Sequence, residues 1–176
     1  MNPADFDARL LDILSLCSPL LHLGDLAIDS RDSGVGIERV ASVSRKIDVP
    51  KILIQGNHDS VPSEVYRKNG WIFLDCGIDL VNRRVLRDEP PFLFFKAGDL
   101  RILASHYPAK RPEGSWRHSR ECVRMAEIFE EYHADINLHG HTHSRSFPEP
   151  SLRNVSLEVL GFVPKRLSEL LTARES

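Results

Sequence analysis

Apolar and polar positions follow two rhythms along this chain. Phe6, Leu10, Ile13, Leu14 and Cys17 recur at helical spacing, which predicts an opening helix begun near Asn2-Pro3 or Asp5. Residues 19–23 form a short apolar run that ends at Gly24-Asp25 and reads as a buried strand. Residues 26–36 are rich in Asp, Ser and Gly and read as a loop. Ile37, Val40, Ala41, Ser44 and Ile47 return to the helical period. Residues 49–54 are a β-rich run followed at once by Gly56-Asn57-His58-Asp59. A short helix is expected over 62–68, ended by Asn69-Gly70.

The signals then become extended. Strands are expected at 71–74, 78–86, 92–96 and 100–105, with Gly98-Asp99 as a hairpin turn between the last two. Cys122, Met125, Ala126, Phe129 and Tyr132 mark an amphipathic helix. Residues 134–138 form a strand leading into Gly140-His141-Thr142-His143, and Pro148-Glu149-Pro150 marks a turn. A last strand is expected over 155–160 and a short closing helix over 167–171. Helix and strand alternate at both ends, with consecutive strands between. This predicts an α/β fold of layers around a mixed sheet or two packed sheets. The 176 residues suit one domain.

Composition narrows the function classes. Hydrophobic residues are 41% and charged residues 27%, an ordinary globular balance, and the formal net charge of -2 does not favour a broad electrostatic grip on nucleic acid. Cys17, Cys76 and Cys122 are odd in number and lack CxxC spacing, so free thiols in a reducing cytoplasm are expected. The first residues have no secretory pattern, and no apolar stretch is long enough to span a membrane.

Four polar clusters follow predicted strands: Gly24-Asp25, Gly56-Asn57-His58-Asp59, Ser105-His106 and Gly140-His141-Thr142-His143. Strand ends are where open α/β sheets place their ligands. Asp25 offers a carboxylate, Asn57 a neutral carbonyl, and His106, His141 and His143 imidazole nitrogens. A mixed nitrogen and oxygen set without thiolate suits Mn, Fe, Zn, Ni or Co better than an all-oxygen calcium site. Each cluster alone has a plainer reading. Gly-Asp is a common turn, as Gly98-Asp99 shows, and a single histidine after a strand is more often packing than ligand. The four together, in this order and at strand ends, are poorly explained by chance.

On these clusters the chain resembles the calcineurin-like metallophosphoesterases, and among them the small bacterial and phage-type enzymes. The resemblance implies a layered α/β/β/α sandwich of mixed sheets. It implies that Asp25 bridges two divalent metal ions, manganese first among the candidates. Asn57, His106 and His141 would complete one metal position, and His143 would serve the other. His58 would be the acid for the leaving oxygen, with Asp59 orienting its ring. The implied substrate is a phosphomonoester or phosphodiester, hydrolysed by metal-activated water, and nucleic acid enters only as a substrate.

One family feature is missing. The first motif, Asp-x-His, supplies two ligands to the position that His143 would serve, and this sequence contains no Asp-x-His. Asp5-Phe6-Asp7 reads as a helix start and His22 as packing or a neighbour of the ligands. The expectation is one whole metal position, one incomplete, a first strand missing through truncation, and self-association as an option at the exposed sheet edge. The alternative function is a catalytically impaired or inactive binding or scaffold protein on the same fold. Arg111, Arg117 and Arg145 are candidate substrate-phosphate contacts, because the guanidinium fork matches phosphate oxygens. His118 and Arg120 share their neighbourhood, and a solvated charged loop is the more probable reading of that stretch.

Overall fold

A computed structural model describes residues 19–27, 33–112 and 118–172. The helix expected around residues 6–17 lies outside the described residues, as do Trp116 and Arg117. The nine described strands fall in two sheets, one of three strands and one of six, and four helices accompany them. This is the α/β class expected of a metallophosphoesterase-like sandwich. The chain divides into two compact units, residues 1–95 and 96–176.

The first unit opens with β1 (Leu20–His22), α1 (Ser33–Ser44), β2 (Lys51–Ile54), α2 (Ser63–Lys68) and β3 (Trp71–Leu74). The three strands are parallel in the order β1-β2-β3, with Leu20 opposite Lys51 and Lys51 opposite Trp71. Parallel neighbours need a crossover, and α1 and α2 lie in the two connections. Ile52, Leu53 and Ile54 are all buried, the continuous apolar run expected of a strand covered on both faces. Val40 on α1 and Tyr66 on α2 pack with Leu26, Ala27, Leu53, Val61, Trp71 and Phe73 as one core. The Trp71 indole N–H donates to the Ser44 hydroxyl at 2.7 Å, which satisfies a polar group inside that core. The end of α2 at Asn69-Gly70 is as expected, with the Gly70 N–H donating to the Arg67 carbonyl.

The strand expected over residues 78–86 is in fact two, β4 (Gly77–Asp79) and β5 (Arg84–Leu86), paired antiparallel. The cause is Asp79, which is fully buried. Its two carboxylate oxygens accept from the backbone N–H and the side-chain amide of Asn82, at 3.0 and 2.8 Å. That side-chain-closed turn reverses the chain in the middle of an otherwise β-rich stretch. Strand β6 (Phe92–Ala97) runs parallel to β4, with Phe92 and Phe94 buried.

The second unit contains β7 (Leu100–Ser105), α3 (Ser119–Glu131), β8 (Ile136–His139), β9 (Leu152–Asn154) and α4 (Leu167–Thr172). Strands β7, β8 and β9 are parallel neighbours in that order. Helix α3 buries Cys122, Met125, Ala126 and Ile128, close to the expected stripe. The strand expected over residues 155–160 lies three residues earlier, as β9. After Asn154 the chain turns, with the Ser156 carbonyl accepting from the N–H groups of Val159 and Leu160. Leu157 and Val159 are then exposed, so their alternation with polar neighbours buries nothing. Cys76 and Cys122 are buried, and no disulfide joins them to each other.

Candidate functional site

Each unit carries its own set of polar loops, and in both the parallel register places them. In the first unit His22 pairs with Leu53, so the loops after β1 and β2 leave from the same end of the sheet. One carries Asp25 and the other Gly56, Asn57, His58 and Asp59. Asp59 ties the two loops together. It is buried, and its Oδ2 accepts from the N–H of Asp25 at 2.8 Å and of Gly56 at 2.9 Å. Its Oδ1 accepts from the N–H of Ala27 at 3.2 Å and from the Tyr66 hydroxyl at 3.1 Å. Burial, and then the Asp59 carboxylate beside it, hold the Tyr66 phenol far above its ordinary pKa, so the hydroxyl stays a donor. Four donors on two oxygens make Asp59 a clasp for the Asp25 loop. This is a different task from steering the His58 ring.

Asp25 in turn accepts from the His58 N–H through Oδ1 at 2.9 Å. The two loops approach so closely that a Cβ on Gly56 would stand 2.3 Å from Asp25 Oδ1 and 2.5 Å from its backbone nitrogen. Only glycine fits there. Asn57 is half-buried and His58 exposed. His22 stacks edge-on against Trp71, in keeping with a packing role.

In the second unit Ser105 pairs with His139, so His106 and Gly140 leave β7 and β8 side by side. The Gly140 N–H donates to the His106 carbonyl at 3.1 Å. His106 Nε2 and His141 Nδ1 face each other at 3.2 Å. Buried Asn137 fixes the His106 loop from below. Its amide donates to the Leu103 carbonyl and the Ser105 hydroxyl, and its carbonyl accepts from the Ala109 N–H at 2.8 Å. The Tyr107 ring lies 4.9 Å from His106 and 4.7 Å from His141, and the His118 ring 5.3 Å from His141. His143 Nδ1 meets Glu158 Oε1 at 2.8 Å, a bond that holds the Glu158 carboxyl below its ordinary range.

Backbone conformation adds a constraint in both units. Among the described residues seven without a glycine's freedom adopt positive φ, and three of them are Asp25 (61°), His141 (63°) and His143 (49°). The other four are Arg83, His118, His133 and Phe162.

The expected phosphate contacts are less well supported. The Arg111 guanidinium pairs with Glu130 at 3.2 Å on the surface. Arg145 lies over the Phe147 ring at 5.9 Å, and Arg117 is outside the described residues. Tyr66, Asn137 and Glu158 were not singled out from sequence as parts of the site. Only Asn137 left a signal, as a polar residue inside the apolar run Ile136-Asn137-Leu138.

Among the described residues no three His, Cys, Asp or Glu side chains are grouped at metal-holding spacing. The pair in the second unit nonetheless fits an ion. Two nitrogens each about 2.1 Å from one cation, at tetrahedral or octahedral angles, lie roughly 3.0–3.4 Å apart. The separation of 3.2 Å between His106 and His141 is inside that range. In the first unit Asp25 and Asn57 offer oxygen donors of the type such ions take.

His139, the last residue of β8, is fully buried. Its Nδ1–H donates to the Gly140 carbonyl at 3.0 Å, and Nε2 has no hydrogen-bond partner among the described residues. Burial pushes its pKa down to about 4, partly opposed by that hydrogen bond and aided by His106. The fold therefore favours neutral His139, whereas an unfolded chain binds the proton near pH 6.5. Its contribution is present above about pH 6.5 and lost as pH falls toward about 4. On the order of 3 kcal/mol should disappear across that window in metal-free urea titrations. His139→Gln should flatten the loss, and equal pH slopes in both proteins would assign it elsewhere.

Comparison with known proteins bears on the family and the fold. The model for calcineurin-like phosphoesterases matches residues 8–145. A solved structure from Aquifex aeolicus, of a protein of unknown function, is 24% identical with a TM-score of 0.53, over 89% of this chain and 78% of that one. A predicted phosphoesterase from Streptococcus pneumoniae is 16% identical with a TM-score of 0.39, over 78% of this chain and 69% of that one. No curated protein matches. Among the described residues no helix is long and apolar enough to cross a membrane. With the family model spanning every one of the four polar loops, the chain belongs to the calcineurin-like phosphoesterase family.

Proposed function

We propose that this chain hydrolyses a phosphomonoester or phosphodiester with the help of divalent transition metal ions, manganese first among them. Family membership supports the hydrolysis of phosphate esters as the reaction class. The observation that carries the metal reading is the pair of imidazole nitrogens 3.2 Å apart at the ends of neighbouring parallel strands. That Asp25 and Asn57 share a centre with His106 and His141, and that His143 serves a second position, is the family's implication. When bound, such ions polarise the phosphoryl group and lower the pKa of a water.

The chain's own residues do the rest. Asp59 holds the Asp25 backbone, and the His58 N–H bonds the Asp25 carboxylate at a close approach that Gly56 permits. Asn137 braces the loop that carries His106, and the Tyr107 ring packs against both His106 and His141. His58 has an exposed side chain and a backbone anchored on Asp25, which suits a group that gives a proton to a departing oxygen. The substrate remains a small phosphate ester or a nucleic-acid phosphodiester, and the arginines near His106 and His141 are candidate contacts to it.

The test is hydrolysis of bis(p-nitrophenyl) phosphate with added Mn²⁺. Turnover should vanish with EDTA and fall by about 10²–10⁴-fold in His58→Ala. The same background rate with Mn²⁺ and with EDTA would favour a binding or scaffold protein on this fold.

A further inference from the structure

His143 has a carboxylate partner of its own. Glu158 Oε1 lies 2.8 Å from His143 Nδ1. A carboxylate oxygen only accepts, so Nδ1 carries the hydrogen, and in the neutral ring Nε2 keeps its lone pair. Neutral histidine in water favours the opposite tautomer. An isolated surface pair would deserve little weight, since the two side chains are 71% and 41% exposed.

The framework behind this pair sets it apart. Asn154, 6% exposed, donates through its amide to the carbonyls of His143 and Arg145 at 2.6 and 3.0 Å. Its own carbonyl accepts from the Ser156 N–H at 2.9 Å. The Ser156 carbonyl then closes the turn through the N–H groups of Val159 and Leu160. One buried amide therefore joins the loop that carries His143 to the turn that carries Glu158. The left-handed backbone of His143 belongs to the same arrangement.

We infer that Glu158 is a positioning residue that locks His143 in its Nδ1–H tautomer and makes Nε2 the atom offered to a divalent cation. Carboxylates that accept from the far nitrogen of a ligating histidine fix its ring and raise its basicity. The final step rests on the phosphoesterase reading, whereas the tautomer does not.

Long-range proton–nitrogen correlation spectra of the ¹⁵N-labelled, metal-free chain test it, at a pH roughly two units above the ordinary imidazole range. His143 should show a protonated Nδ1 and a bare Nε2. Glu158→Ala should move it to the Nε2–H form, and Glu158→Gln, which keeps an acceptor oxygen, should restore the original pattern. Zn²⁺, which is diamagnetic, should shift the His143 Nε2 signal in the wild-type chain. Glu158→Ala should raise the concentration needed by about 10–100-fold, with the His106 and His141 signals responding as before. A wild-type Nε2–H tautomer, or a Zn²⁺ midpoint at His143 unmoved by Glu158→Ala, overturns the inference. A correct tautomer and Zn²⁺ response without hydrolysis would uphold it and count against the phosphoesterase reading alone.

Discussion

Gly56→Ala should remove phosphate-ester hydrolysis almost completely while leaving a folded protein. The added Cβ would lie 2.3 Å from the Asp25 carboxylate and 2.5 Å from the Asp25 backbone nitrogen. Rotation of the Asp25 side chain relieves the first contact but not the second, because a backbone atom cannot swing aside alone. The two loops must therefore separate by roughly 1 Å. A misplacement of that size costs about 10²-fold or more in rate. Stability should fall by only about 1–3 kcal/mol, the usual effect of overpacking. Gly98→Ala is the control. Its Cβ meets nothing within 4 Å, although its φ of 61° is left-handed. It should lose roughly 1 kcal/mol and keep its turnover. Equal activity in Gly56→Ala and wild type would mean that Asp25 need not sit where the fold holds it.

Asp59→Ala should act in the opposite sense, on the fold before the chemistry. It leaves the N–H groups of Asp25, Ala27 and Gly56 and the Tyr66 hydroxyl without their acceptor. Each buried donor left alone costs about 1–3 kcal/mol, and water entering the gap will recover part of this. A net loss of about 3–5 kcal/mol is expected, a large share of the 5–15 kcal/mol typical of a domain. Asp59→Asn presents an amide N–H₂ where two of the donors need an oxygen, so it should fall between. Tyr66→Phe removes one bond and should lose about 1 kcal/mol. Urea denaturation gives the order directly. Asp59→Ala no weaker than Tyr66→Phe would show that the four bonds do not hold the loops.

These two positions also mark where sequence reading succeeds and where it stops. The strand-end positions of Asp25, His58, His106 and His141 were legible because each follows a short apolar run, and apolar runs that end in polar clusters are local signals. The strands before them, β1, β2, β7 and β8, were placed to within a few residues for the same reason. The clasp on Asp59 was not legible. It depends on Ala27 and Tyr66, which are 32 residues before and 7 after it and carry no metal-site chemistry of their own. The resemblance implies a role for Asp59 toward the preceding residue, His58, and tertiary approach brings it four hydrogen-bond donors besides. The same limit explains the strand misplacements. Asp79 turns the chain through side-chain hydrogen bonds, which hydrophobic periodicity does not register. Asn154 does the same after β9, and it converts an apparently alternating strand into the turn that delivers Glu158.

The left-handed backbone at Asp25, His141 and His143 has a consequence for how such a chain would age. Each of these residues is worse for the fold than glycine would be, by about 1–2 kcal/mol. A lineage released from any need for the site would therefore improve its fold by exchanging them. Drift toward stability and retention of the site pull against each other at the same three positions. Arg83, His118, His133 and Phe162 carry the same backbone cost outside the proposed ligand set, so glycine exchanged at either group should stabilise the fold, and only exchange at Asp25, His141 or His143 should remove a proposed ligand.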